Sequence, residues 1–69
     1  MKEVNEMPEN GQFVGVWEFN DHIWCDTYLI EYGVLYVRNS ETDDFVDSPY
    51  SADWLAQEDN MKYFIYGEE

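Results

Sequence analysis

Residues 13–38, reading FVGVWEFNDHIWCDTYLIEYGVLYVR, constrain the fold more than any other part of the chain. The stretch is dense in Val, Ile, Trp, Tyr and Phe, side chains that suit a pleated, half-buried surface. Two short breaks interrupt it. Asn20-Asp21 supplies residues that tolerate the positive φ of a two-residue hairpin turn, and Tyr32-Gly33 puts a glycine where a second tight turn needs one. The pattern predicts a three-stranded antiparallel meander on which the rest of the chain packs.

The register follows from the first turn. With Asn20-Asp21 as the loop, Phe19 faces His22, Trp17 faces Trp24, Gly15 faces Asp26 and Phe13 faces Tyr28. One face then carries an aromatic ladder with a gap at Gly15. The other carries Val14, Val16, Ile23, Cys25 and Leu29. A half-solvated sheet alternates apolar with polar residues, and this one is apolar on both sides. Either the sheet curls into a small barrel whose second face the C-terminal half covers, or one face stays open for a partner.

Outside the meander, residues 1–11 show no period and end in Pro8 and Asn10-Gly11, which predicts a flexible N-terminal arm. Residues 12–66 form the single small domain, and 67–69 an acidic tail. Residues 39–47 read as an acidic loop holding Phe45-Val46, a short fourth strand or an anchor. Ser48 as N-cap and Pro49 at the first helical position predict a helix over about 49–58, with Tyr50 and Trp54 on one face. Residues 61–66 (MKYFIY) complete the sheet. The expected fold is therefore mainly β (α+β). It is an antiparallel meander of four to five strands, curled or SH3-like, with one short helix before the last strand.

Charge is the second constraint. Sixteen acidic residues against three basic ones leave a net charge of −13 in 69 residues. Self-repulsion of that size opposes a compact state, yet 45% hydrophobic and 19% aromatic content is too high for a disordered chain. Phosphates are repelled by such a surface, so direct binding to nucleic acid or anionic lipid is not expected. A single cysteine, Cys25, excludes an internal disulfide. The chain does not open with a basic segment followed by an apolar one, and no run has the length of a membrane span. A soluble cytoplasmic protein is expected.

Residues that invite a chemical reading each have a plainer one. His22, Cys25 and Asp26 cluster in sequence, but in a strand His22 and Cys25 point to opposite faces, and one His with one Cys cannot complete a zinc shell. They read as a hairpin-end histidine and a buried thiol. The run Glu41, Asp43, Asp44, Asp47 lacks the glycine and terminal glutamate of a calcium loop. Neither a Ser/His/Asp set nor a phosphate-cradling loop is present, and no polar pocket is expected in so small a domain. No enzyme activity, cofactor or metal is expected. The tryptophans Trp17, Trp24 and Trp54 read chiefly as a small aromatic core. Phe19, Trp24 and Trp54 are the candidates for an exposed interface anchor.

Size, acidity, aromatic content and lack of catalytic residues together resemble the small acidic bacteriophage proteins that disarm host DNA-handling or defence enzymes by imitating DNA charge. That resemblance lies in composition and length alone. It implies a viral origin and a basic, nucleic-acid-binding host protein as target. The acidic residues of the second half, Glu41, Asp43, Asp44, Asp47, Asp53, Glu58 and Asp59, are then expected to form one contiguous partner-binding face. The alternative is an adaptor or structural β module that binds a peptide or forms a homodimer through an exposed aromatic face, with acidity serving solubility only.

Overall fold

A computed structural model describes residues 1–66; the tail expected at 67–69 lies outside the described residues. The chain is mainly antiparallel β with one short helix before the last strand. Its strands are β1 (Lys2–Val4), β2 (Gly11–Phe19), β3 (His22–Glu31), β4 (Val34–Arg38), β5 (Phe45–Asp47) and β6 (Met61–Ile65), with α1 (Ala52–Ala56) between β5 and β6. They form one sheet in the order β1-β6-β2-β3-β4-β5. Stacked layers lie only about 10 Å apart, so a flat sheet carrying one helix would be a thin slab. The three comparable extents of 30 × 28 × 24 Å show that the sheet curls round its core.

The two hairpins form as the turn residues dictate. Asn20 and Asp21 take φ of 53° and 63°, and Tyr32 and Gly33 take 51° and 77°, the paired positive values that match a hairpin's twist. The β2–β3 register pairs Phe13 with Tyr28, Gly15 with Asp26, Trp17 with Trp24 and Phe19 with His22, as the sequence predicts. β4 occupies the predicted residues and β5 is the short fourth strand of the meander.

Directly opposed residues share a face, so the ladder defines an inner and an outer side. Phe13 is fully buried on the inner side, stacked on Tyr28 at 5.4 Å and edge-on to Tyr63 at 6.1 Å. Ile30, Leu35 and Leu55 close the core, with Val4, Met7, Val37, Met61 and Ile65 packed round it. The aromatic core is thus Phe13, Tyr28 and Tyr63. None of the three tryptophans is fully buried: Trp24 is 44% and Trp54 40% exposed. Their size and position on the inner face suggest a core role, but the covering helix is only five residues long and reaches the sheet through Leu55.

Two further expectations are corrected. The first residues do not hang free: Lys2–Val4 pairs with β6, placing Val4 opposite Tyr63. Without β1, the backbone groups along that edge of β6 would lack partners, and Val4 adds apolar contact to the core. The helix starts later than residue 49. Ser51 is its N-cap, its Oγ accepting from the Trp54 N–H at 3.1 Å, while Ser48 Oγ accepts from the Tyr50 N–H at 3.0 Å in a separate turn. Two serines three residues apart both satisfy the capping rule, and the one that lets Leu55 reach the core is used. The Tyr63 hydroxyl donates to the Leu55 carbonyl at 3.3 Å, satisfying a backbone acceptor at the helix end and tying it to the sheet.

The outer side carries Val14, Val16, Ile23, Cys25, Leu29, Tyr36 and Phe64. Val14 is buried between its neighbours, but Ile23 is 68% exposed, and Cys25 is exposed rather than the buried thiol expected. The C-terminal half covers the aromatic side instead, because the connection from β5 to β6 crosses that face. Among the described residues no helix is long and apolar enough to cross a membrane.

Candidate binding site

The helix covers only part of the inner face, and beside it the sheet opens into a cleft of about 330 Å³. Three segments build it. β2 and β3 supply Gly15, Trp17, Trp24, Asp26 and Tyr28; the segment round α1 supplies Tyr50, Trp54, Leu55 and Glu58; β6 supplies Met61. Such a concavity is not expected from a domain of this size, and the cause is Gly15. A Cβ there would stand 3.0 Å from Tyr28 Cε2 and 3.1 Å from Met61 Cε. Glycine therefore lets Tyr28 lean across β2 towards Met61 and leaves the cleft its floor.

Two aromatic pairs contribute its walls. Trp17 and Trp24 lie across the β2–β3 ladder with ring centroids 5.4 Å apart, and Phe19 stacks on Trp17 at 5.5 Å. His22 extends the strip beside Trp24 at 5.7 Å. From the helix segment, Tyr50 and Trp54 stack at 4.3 Å with planes only 13° apart. Tyr50 precedes the helix, yet the four-residue spacing brings the rings together much as it does inside one.

Asp26 and Glu58 are the charged residues of the lining, and both are acidic. Their influence is visible in the tyrosines. Burial, followed by the negative charge of Asp26, pushes the Tyr28 hydroxyl up to about 12. Burial and Glu58 raise that of Tyr63. The unfolded chain releases a tyrosine proton near its ordinary value of 10.0, whereas the folded chain holds the Tyr28 proton up to about 12. Over that window the unfolded state binds fewer protons, so stability falls as pH rises. A tenfold difference in proton affinity between the two states is worth about 1.4 kcal/mol, so the loss expected from Tyr28 is on the order of 2 kcal/mol. Thermal melts from pH 9 to 12 measure it, and Tyr28→Phe removes its share.

The seven acidic residues expected on one face take several positions. Glu41, Asp43 and Asp44 occupy the exposed loop after β4. That loop is braced from within: Asn39 Oδ1 accepts from the Glu41 N–H at 2.8 Å, and the Asn39 carbonyl from the Asp43 N–H at 2.7 Å. Arg38 Nε stands 3.8 Å from Asp43 Oδ1, the sole ion pair among the described residues. Asp47 opposes Tyr36 and so shares the outer side. Asp53 lies in the first turn of α1, Glu58 in the cleft and Asp59 in the turn before β6. Asp47 and Glu58 thus take opposite sides of the sheet.

Of the aromatic anchor candidates, Trp24 and Trp54 meet across the cleft with Glu58, and Phe19 is half exposed at the hairpin end. Sequence reasoning missed Trp17, Tyr28, Tyr50 and Asp26 as members of this site. One signal for Asp26 was present: strand alternation places a lone carboxylate on an otherwise aromatic ladder, opposite a glycine. His22 and Cys25 lie on opposite sides of the sheet, and among the described residues no group of three or more His, Cys, Asp or Glu side chains is placed to hold a metal ion. Compared with known proteins, the chain matches no family model, no curated protein and no solved structure.

Proposed function

We propose that this protein binds a basic, nucleic-acid-binding protein and blocks its nucleic-acid site by presenting DNA-like charge. Unneutralised charge carries the reading. Sixteen acidic residues face three basic ones, and the single ion pair among the described residues is a loose 3.8 Å contact. A DNA duplex as long as the 30 Å extent of this domain carries about 18 charges at one per ~1.7 Å. A net −13 in a body of that size approaches that density. The small acidic phage proteins it resembles suggest a viral source and a host target met in the cytoplasm. Neither catalysis nor a cofactor enters this reading.

The test is capture of partners from a bacterial lysate on the immobilised protein, elution by a salt gradient, and a nucleic-acid-binding assay on each eluted protein. The expected result is loss of DNA or RNA binding at stoichiometric amounts of this protein, and displacement from the column by excess duplex. Captured proteins with no affinity for nucleic acid, or retention indifferent to duplex, would sink the proposal.

The open aliphatic outer face, with Ile23 68% exposed, supports a second reading as a self-associating or peptide-binding β module. Sedimentation at rising protein concentration separates the two. A dimer that Ile23→Glu dissolves, together with no partner sensitive to nucleic acid, favours the module.

A further inference from the structure

The cleft has a chemistry of its own. Its charged lining residues are Asp26 and Glu58, and among the described residues no cation lines it. Arg38 and Lys62 follow the outer side of the sheet by register, and Lys2 sits on edge strand β1. The walls are aromatic, and the face of an aromatic ring carries negative potential. Carboxylates and π faces therefore act in the same direction, favouring a cation and repelling phosphate or carboxylate. The cleft's volume of about 330 Å³ stands at the lower end of the range for small-molecule sites, about 300–1,000 Å³. That suits one side chain better than a large ligand.

We infer that this cleft seats an arginine side chain presented by the basic partner. The inference rests on the reading above that the partner is basic, and adds where and how one of its residues is held. Guanidinium is planar, so it stacks on an indole or phenol face, and its fork of N–H groups donates two bonds to a carboxylate. It is also more weakly hydrated than an ammonium, so it enters an aromatic site at lower desolvation cost than lysine. Tyr50 and Trp54 offer flat surfaces for stacking, and Asp26 and Glu58 are the acceptors. A partner that binds DNA through arginines would thus find both the charge of a phosphate and a stacking surface that a phosphate lacks.

The experiment titrates the full chain with a blocked Gly-Arg-Gly tripeptide, read by tryptophan emission and by the indole and backbone amide N–H resonances. Matched peptides carry citrulline, which keeps the shape and loses the charge, or lysine. The arginine peptide should saturate the signal and shift the resonances of Trp24 and Trp54. Citrulline should bind at least about tenfold more weakly, since one desolvated charge contact is worth about a factor of ten. Glu58→Gln and Asp26→Asn, both nearly isosteric, should each weaken arginine binding several-fold with unchanged circular dichroism.

Equal binding of citrulline, lysine binding as tightly as arginine, shifts confined to the 39–44 loop, or indifference to both carboxylate changes would each overturn the assignment. If the peptide fails while duplex still displaces a captured partner, the cleft assignment alone falls. If the peptide binds while no captured partner competes with duplex, the DNA-mimic reading alone falls.

Discussion

Replacing Phe13 by alanine should remove a large share of the stability of the domain. The ring is 0% exposed and lies between Tyr28 and Tyr63, so its loss removes buried area and leaves a cavity that two large neighbours cannot close. Such truncations cost about 3–5 kcal/mol. A domain of 69 residues has about 3–10 kcal/mol in total at the usual stability per residue. At about 4–8 °C per kcal/mol, the melting temperature should fall by at least about 12 °C, if a cooperative transition survives at all. Thermal circular dichroism reads the change directly. Phe13→Leu, which refills much of the space, should recover a large part of it. A fall of only a few degrees for the alanine variant would mean that the core is centred elsewhere.

If the partner is the basic protein proposed above, binding to it should show a second large effect, in rate rather than stability. Raising salt from about 0.02 to 0.5 M should slow association by roughly 10–10³-fold, because long-range attraction is screened. Dissociation should change little. Asp43→Asn with Asp44→Asn keeps side-chain size and removes two charges from the exposed loop, so it should flatten that salt slope and act mainly on association. Phe19→Ala removes an exposed ring stacked on Trp17 and should raise the dissociation rate instead. Surface plasmon resonance at several salt concentrations separates the two. Should the Asn pair leave rate and slope unchanged while an aromatic change abolishes binding, charge serves solubility and the module reading takes over.

The meander was legible because its register is a local matter. Asn20-Asp21 and Tyr32-Gly33 adopt the backbone angles their chemistry favours, and each two-residue turn then fixes every opposed pair along its strands. What lay beyond reading depends on contacts distant in sequence. Lys2–Val4 has no strand pattern of its own and is ordered by β6 at the other end of the chain. Alternation assigned Trp17 and Trp24 to the aromatic side but could not say how far along it a five-residue helix would reach. Ser48 and Ser51 offered equal capping chemistry, and only the docking of Leu55 decided between them. The cleft escaped notice for the same reason. Its lining comes from β2, β3, the helix segment and β6, and no single stretch carries its signature.

The sheet is open, with β1 and β5 as its outermost strands. An unpaired strand edge is a template for another chain, and long flat edges are where β proteins polymerise. Here both edges are three residues long and carry charge, Lys2 and Glu3 on one and Asp47 on the other. A second molecule that approached edge to edge would gain few ladder bonds while bringing two bodies of net charge −13 together. Colloidal behaviour follows from this. The protein should resist fibril formation at high concentration and neutral pH, despite its aromatic content, and should become prone to it as acid neutralises the carboxylates.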